Sequence, residues 1–255
     1  MKTFFQVIVS VLVLFFIASC GQDNITLPQN ATSQICPNVV GAEAVWWDIT
    51  NGIPRGDLPG GTPVINNPGG TYFHPEFPAL GFVYPAGYIP TTLSDQFGTT
   101  VGVNLIRQDN QVLYRWISTQ TNGIIGVNDA LNFEVAQFLN FIGNPANVTT
   151  VCANSGTTNN GVIRTDGSSV MLRAGNFTAV INMNTTYVDG LNTTFIAAQV
   201  TMGPTQEYPN LIVNTFLPIS WQMLYSPEDA PVNTDTDGDG VLDQFDDFPF
   251  DPTRF

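Results

Sequence analysis

Five aspartates near the end of the chain have the spacing of a metal-binding loop. The oxygen ligands in this spacing are the side chains of Asp235, Asp237, Asp239, Asp243 and Asp246 and the backbone carbonyl of Val241. Gly240 occupies the position at which such a loop makes its sharp turn. Ca²⁺ takes about six to eight oxygens in a flexible shell, whereas Mg²⁺ requires a tighter octahedron. The spacing therefore predicts a Ca²⁺ site, and the alternative is a solvated acidic tail.

The stretch 235–252 resembles the calcium-binding thrombospondin type 3 repeat. The resemblance is carried by the sequence D-T-D-G-D-G-V-L-D-Q-F-D-D-F-P-F-D-P, in which Phe248-Pro249 stands where animal repeats often have Cys-Pro. It implies Ca²⁺ as the bound ion and a location at a cell surface or in a matrix. Members of this family usually occur in tandem, whereas this chain shows one unit, which we place at residues 235–255.

The first twenty residues have the pattern of a secretion signal that ends at a cysteine. Lys2 precedes an apolar run at 4–17, and these fourteen residues are fewer than the roughly 20 that span a bilayer. The run leads into I-A-S-C, ending at Cys20, which resembles the bacterial lipobox. The resemblance implies a lipid anchor at Cys20, and Gly21 in place of aspartate favours the outer membrane or the cell surface. The alternative is an ordinary cleaved signal.

The charge of the chain argues against a nucleic-acid partner. Seven Lys and Arg oppose 21 Asp and Glu, for a net charge of −14. Binding to phosphate backbones requires clustered Lys and Arg, which this sequence lacks. Nine of the acids lie between Glu228 and Asp251. The middle of the chain is therefore close to neutral and rich in Asn, Thr and Gly, which is typical of a secreted β protein.

Two cysteines remain after Cys20. Cys36 and Cys152 form an even pair, which in an oxidising compartment predicts one disulfide. The alternative is two free thiols in a core. No C-x-x-C spacing indicates a metal site, so we interpret the pair as structural.

The pattern of apolar residues predicts an all-β, β-sandwich-like domain with one amphipathic helix, and the alternative is an α+β fold. We expect a flexible tether at 21–35, the β-rich domain at 36–225 and a linker at 226–234. The helix is expected at about 129–142, where Leu131, Val135, Phe138, Leu139 and Ile142 form one stripe. Strands are predicted at 39–49, 101–107, 112–118, 161–165, 170–174, 177–183, 193–201, 211–216 and 219–225. The segments 101–107 and 112–118 are predicted to form a hairpin, and the proline-rich stretch 55–88 is expected to be a long loop.

Aromatic side chains supply the candidate ligand-binding surface of the middle domain. The five candidates are Trp46, Trp47, Tyr72, Tyr84 and Tyr88. Trp and Tyr combine apolar area with a polar atom, which suits a sugar ring. Because side chains alternate along a strand, one of Trp46 and Trp47 is expected to face outward. The alternative is that most of these aromatics belong to the core.

Residues that could perform catalysis are sparse. His74 is the sole histidine, and no G-x-S-x-G motif supplies a nucleophile. A two-carboxylate glycosidase could draw on Glu43, Asp48 and Glu76, although the sequence does not fix their separations. The sequence therefore predicts a lipid-anchored envelope protein with a structural, adhesive or glycan-binding role and a glycan or protein ligand. A glycan-acting hydrolase is the rival hypothesis.

Overall fold

The computed structural model describes residues 30–53 and 63–223. Cys20 and the predicted calcium ligands of the C-terminal segment lie outside this range. No helix in the described range is long and apolar enough to cross a membrane.

Nine antiparallel strands form two sheets. The larger sheet has seven strands in the order β3-β4-β5-β9-β8-β7-β6, and β1 and β2 form a separate hairpin. The strands are β1 (Pro68–His74), β2 (Phe77–Pro85), β3 (Tyr88–Ser94), β4 (Thr100–Arg107), β5 (Leu113–Asn122), β6 (Val148–Asn159), β7 (Ile163–Ala174), β8 (Phe177–Val188) and β9 (Thr193–Pro204).

The helices are fewer and mostly short. They are α1 (Ala42–Thr50), α2 (Val127–Phe141), α3 (Tyr208–Leu211) and α4 (Leu217–Gln222). A π-helical turn, Ile212–Phe216, joins α3 to α4, so that Tyr208–Gln222 is one continuous helical segment. A single 3-10 turn, Asp189–Leu191, connects β8 to β9.

Each face of the large sheet packs against different elements. Face A, which carries Leu105, Tyr114, Val180 and Met171, packs against α1, the β1–β2 hairpin and the segment 208–222 in one apolar core. Face B, which carries Leu113, Leu172, Ile181 and Val200, packs against α2. Side chains alternate between the two faces because successive residues of a strand point to opposite sides.

The predicted fold class is confirmed, since the chain is mostly antiparallel β with two sheets and few helices. The predicted hairpin is also confirmed: β4 pairs with β5 from Thr100↔Thr119 to Ile106↔Leu113. The amphipathic helix is present as α2, and its predicted stripe packs on face B around the buried Phe138. The periodic patterns that carried these predictions were therefore sufficient to locate these elements.

Four other predictions were wrong. The predicted strand at 39–49 is helical from Ala42 to Thr50. The predicted strand at 211–216 and the first part of that at 219–225 lie in the segment 208–222, which is helical through Gln222. Six consecutive residues of α1, from Glu43 to Asp48, are buried, so its sequence shows no one-sided stripe. The predicted loop at 55–88 contains β1 and β2; Pro68 starts one strand and Pro85 ends the other, positions that proline tolerates.

Candidate functional site

Asp48 and the disulfide hold the first described residues against the domain. Cys36 and Cys152 are joined, with their Cα atoms 5.8 Å apart, as the sequence predicts. The carboxylate of Asp48 is fully buried and accepts hydrogen bonds from the Ser33 hydroxyl and the Gln34 backbone N–H. Ser33 Oγ in turn accepts the Cys36 N–H at 2.9 Å. These contacts give Asp48 a structural role: it holds the segment before α1 against the domain.

Glu43 forms an ion pair at the rim of face A. One of its carboxylate oxygens lies 2.9 Å from Arg173 Nη2 on β7. Burial raises the pKa of the Glu43 carboxyl, and the charge and hydrogen bond of Arg173 oppose this effect. Glu43 therefore secures α1 to the sheet, and Arg173 has a partner that the sequence did not reveal.

His74 is buried, and both of its ring nitrogens have partners in the protein. Nδ1 accepts the backbone N–H groups of Glu76 and Phe77, each at 3.2 Å. Nε2 therefore carries the proton and donates to the Leu93 carbonyl at 3.1 Å. The imidazole closes the β1–β2 turn and ties it to β3, while the side chain of Glu76 is exposed. This geometry leaves no ring nitrogen for proton transfer to a substrate.

The predicted aromatic platform does not form. Trp46 and Trp47 are 1% and 0% exposed, so neither faces outward. The reason is that they lie on a helix that is surrounded by the core rather than on a strand. Tyr72 and Tyr88 are buried as well, and Tyr84 is half-buried.

A polar network replaces the platform inside the core. Trp46 Nε1 donates to Thr201 Oγ1 at 3.2 Å, and the same oxygen lies 2.7 Å from the Tyr208 hydroxyl. Burial raises the pKa of Tyr208, which keeps the hydroxyl neutral. These side chains bind α1, β9 and the segment 208–222 together, which is a structural role.

A second polar cluster connects the middle of the sheet to α4 on face A. Gln199 Nε2 donates to Tyr114 OH at 3.0 Å and to Ser220 Oγ at 2.8 Å. Burial raises the pKa of Tyr114 to about 12. Cross-strand register places Gln199 in a row that runs over five strands of face A. The row consists of Trp116, Gln199, Asn182, Ser169 and Asn154.

Asn182 has a buried acceptor atom that no described residue pairs with. Asn182 is 7% exposed, and its Oδ1 is buried without a hydrogen-bond partner in the described part of the chain. The sequence carried a signal for its position: Asn182, Asn184 and Thr186 alternate with Ile181 and Met183 along β8. That alternation places the polar residues together on one face of the sheet, which the structure shows to be face A.

A small cavity of about 90 Å³ lies on face B between β4, β5 and α2. Arg115 and Glu134 lie in its wall and pair with each other, with Nε and Oε2 3.1 Å apart. Arg115 Nη1 also donates to Asn104 Oδ1 at 3.0 Å. Because the guanidinium is held by its neighbours, the cavity contains no free charge for a ligand.

Residues 30–53 and 63–223 contain no group of three or more His, Cys, Asp or Glu placed to hold a metal ion. The predicted Ca²⁺ ligands lie outside these ranges, so the calcium site stays a prediction from the sequence.

No protein-family model matches this chain, and no curated protein matches it significantly. Several solved structures match part of the chain at low similarity. The chain is similar to the Ran-binding protein Mog1p of Saccharomyces cerevisiae, at 13% identity and a TM-score of 0.29 over 58% of this chain and 86% of that one. It is similar to cyanobacterial PsbP from Synechocystis, at 8% identity and a TM-score of 0.30 over 56% and 84%. A third is LpqN of Mycobacterium tuberculosis, involved in cell envelope biogenesis, at 9% identity and a TM-score of 0.26 over 50% and 82%. Similarity at this level supports no inference about this chain.

Proposed function

We propose that this chain is a lipid-anchored protein of the bacterial cell envelope whose β domain binds a ligand without cleaving it. The anchor is Cys20, the residue that ends the lipobox-like sequence, and the C-terminal segment 235–255 adds a Ca²⁺-binding unit. The location is the outer membrane or the cell surface, and the role is structural or adhesive.

The observation that supports binding over hydrolysis is that both ring nitrogens of His74 are hydrogen-bonded to the backbone. General acid or base catalysis requires a group within hydrogen-bond reach of the substrate proton. Both nitrogens of this imidazole are used by backbone groups of the protein itself. Two of the carboxylates considered for a two-carboxylate glycosidase already have structural partners: Glu43 pairs with Arg173, and Asp48 holds the segment before α1.

Cell fractionation tests the anchor. Wild-type protein is expected in the membrane fraction, and Cys20→Ala is expected in the soluble fraction, because acyl chains contribute about 0.8 kcal/mol per buried CH₂. Cys36→Ser serves as the matched control, since it removes a cysteine that the proposal assigns to a disulfide. A Cys20→Ala protein that stays in the membrane fraction would refute the lipid anchor.

Assays of glycan hydrolysis test the second half of the proposal. Purified protein is expected to leave reducing-end counts unchanged. Release of reducing ends that disappears in Glu76→Gln or His74→Gln would support the rival hydrolase and contradict the proposal.

A further inference from the structure

Four connections at one end of the large sheet each carry an exposed, bulky apolar side chain. Three of them join neighbouring strands (β3 to β4, β6 to β7 and β8 to β9), and the fourth leads from β5 to α2. The four side chains, which we call the apolar tips, are Phe97 (78% exposed), Ile124 (72%), Val162 (61%) and Leu191 (48%). Single exposed apolar residues are ordinary on a protein surface, so it is the shared location of these four that is unusual.

Strand register and backbone hydrogen bonds bring the apolar tips to the same end of the sheet. β4 and β9 both begin where β5 ends. The Gly123 N–H donates to the Asn192 carbonyl at 2.8 Å, and the Asp189 N–H donates to the Val162 carbonyl at 3.1 Å. From the strand order, the β3–β4 and β6–β7 turns are about five strand spacings apart, which is roughly 24 Å. Along this line, successive tips are roughly 7 to 10 Å apart.

The apolar tips protrude from the domain and do not line a cavity. Each has a glycine as a chain neighbour, and these are Gly98, Gly123, Gly161 and Gly190. A methyl group added at any of these glycines would meet no described atom within 4 Å. The turns therefore extend into open space, with the apolar side chains at their ends.

The connections at the opposite end of the sheet are polar or small. They lie at 86–87, 108–111, 175–176 and 205–207, and none of these residues is Val, Ile, Leu, Met or aromatic. Exposed apolar residues near that end, such as Phe141 and Val148, belong to α2 and β6 and not to a turn. The apolar character of the turns is therefore concentrated at one end.

Charge is scarce in the turns that carry the apolar tips. We take these turns as residues 95–99, 122–126, 160–162 and 189–192. They contain no Lys or Arg, and their acids are Asp95 and Asp189. The Asp95 carboxylate accepts the backbone N–H groups of Phe97 at 2.7 Å and of Thr99 at 3.1 Å, which holds this charge within its own turn. Without cations, these turns have no electrostatic attraction to anionic lipid headgroups, and the net charge of −14 opposes such binding.

We infer that the apolar tips insert into the surface of a membrane of uncharged, zwitterionic lipid, so that the large sheet stands on that membrane by one end. This inference rests on the proposed lipid anchor and adds a second contact with the same membrane. Asn30, the first described residue, is ten positions after Cys20. At about 3.5 Å per residue, that stretch of chain keeps the domain within roughly 35 Å of the anchored cysteine.

The separation of the apolar tips favours lipid over a protein partner. Each protruding side chain can be surrounded by fluid acyl chains without any matching shape. A protein would need a row of pockets at the same spacing to bury all four. The polar turn residues beside the tips, such as Asn122 and Asn160, suit the hydrated headgroup layer.

Fluorescence quenching by brominated lipid tests the insertion. The full mature chain is attached to phosphatidylcholine vesicles by its own anchor, and the acyl chains are brominated near the headgroup. Phe97→Trp places a fluorophore at a tip, and Gln111→Trp places one in an exposed turn at the opposite end as the matched control. The signal of the four native tryptophans is subtracted by means of the wild type. Quenching of Phe97→Trp is expected to exceed that of Gln111→Trp about twofold or more.

Changes of salt and of lipid charge test the kind of contact. The difference in quenching is expected to stay the same between about 0.05 and 0.5 M salt, because no ion pair is screened. Adding phosphatidylglycerol to the vesicles is expected not to increase it. A difference that appears only with anionic lipid would contradict insertion into an uncharged surface.

Charged substitutions at neighbouring tips show whether the four act together. Ile124→Asp with Leu191→Asp, introduced into Phe97→Trp, is expected to reduce quenching to the level of the control fluorophore, because a carboxylate resists transfer into the acyl region. Asn110→Asp with Asn176→Asp adds the same charge to turns at the opposite end and is expected to leave the quenching unchanged. All four positions are exposed, so the melting temperatures should stay within about 2 °C of the parent.

The outcomes separate the inference from the proposed function. Protein that does not float with the vesicles would refute the proposed anchor, and with it the inference. Protein that floats with the vesicles, but in which Phe97→Trp is quenched no more than Gln111→Trp, would refute the inference alone and leave a lipid-anchored protein. Quenching that survives both aspartates at the neighbouring tips would likewise refute the insertion of the four tips as one surface.

Discussion

Gln222 pairs with the backbone of Val83 as a neighbouring strand would. Its Oε1 accepts the Val83 N–H at 2.8 Å, and its Nε2 donates to the Val83 carbonyl at 3.2 Å. The same Nε2 donates to the Pro218 carbonyl at 3.1 Å. Gln222 is 4% exposed, so this single side chain satisfies buried backbone groups of β2 and fixes the end of α4 on the hairpin.

Replacing Gln222 is expected to loosen the β1–β2 hairpin. Gln222→Ala leaves the N–H and carbonyl of Val83 buried without partners, so the free energy of unfolding should fall by about 2–4 kcal/mol. Chemical denaturation measures this loss, and hydrogen exchange of the Val83 amide should accelerate. Gln137→Ala, at an exposed position of α2, is the control and should change stability by less than about 0.5 kcal/mol. Equal stabilities for the two variants would contradict this account.

Replacing His74 is expected to lower the free energy of unfolding, because its ring hydrogen-bonds only to the protein's own backbone. His74→Ala removes the acceptor for two backbone N–H groups and the donor to Leu93, so it should destabilise the protein by about 2–4 kcal/mol. Nitrogen-15 spectra of the wild-type imidazole should show the proton on Nε2. A proton on Nδ1 would be incompatible with the observed contacts.

The Glu43 carboxyl should make stability fall as pH rises. Burial raises its pKa above the ordinary value of 4.5. The folded state therefore binds this proton more tightly than the unfolded state does. The contribution of Glu43 to stability is fully present below pH 4.5 and is lost as the pH rises through the raised pKa. The free energies of unfolding of the wild type and of Glu43→Gln are measured at each pH. Their difference isolates the contribution of Glu43 from those of the other carboxylates. A difference that is flat from pH 4 to pH 8 would exclude a raised pKa.

The disulfide should be one of the larger contributions to stability. Cys36 and Cys152 are 116 residues apart in sequence, and closing a loop of that length stabilises by about 5 kcal/mol on the chain-entropy model. Mass spectrometry of the unreduced protein should find the linked pair of peptides. Cys36→Ser and Cys152→Ser should lower stability equally, because either change opens the same loop. Two alkylatable thiols in the unreduced protein would contradict the pairing.

The calcium prediction is tested by titration of the C-terminal segment within the full chain. Asp235→Ala or Asp239→Ala should abolish binding, whereas Asp247→Ala, outside the ligand spacing, should weaken it modestly. A single repeat is expected to bind with a Kd on the order of 10⁻⁴ to 10⁻³ M, like other extracellular modules. No heat of binding at millimolar Ca²⁺ would leave a solvated acidic tail.

Local patterns predicted elements that have one buried side. The stripe of α2 and the paired strands β4 and β5 were found because burial on one side leaves a period in the sequence. The segment 208–222 has no such period, since the five consecutive residues from Thr215 to Ile219 are all buried. β6 was missed because its Thr, Asn, Ser and Gly residues are largely exposed and carry no apolar alternation.

Some features of the candidate sites could be predicted from the sequence, and others depend on contacts between distant parts of the chain. The pairing of Cys36 with Cys152 followed from counting cysteines, which needs no three-dimensional information. The row that contains Asn182 depends on the register of five strands, and a sequence does not specify which residue lies across from Asn182. The burial of Trp46 and Trp47 likewise depended on elements distant in sequence, including Thr201 on β9.

The covalent bridge between Cys36 and Cys152 also determines how the protein responds to tension. A pull applied to the chain before Cys36 passes at this residue into β6, an edge strand of the large sheet, and bypasses the residues between the two cysteines. Those 116 residues of separation would otherwise add roughly 400 Å of extended chain at about 3.5 Å per residue. With the bridge intact, stretching can lengthen only the parts of the chain outside the loop. The distance between the two ends of the chain under tension is therefore nearly independent of whether α1 and the strands β1 to β5 are folded.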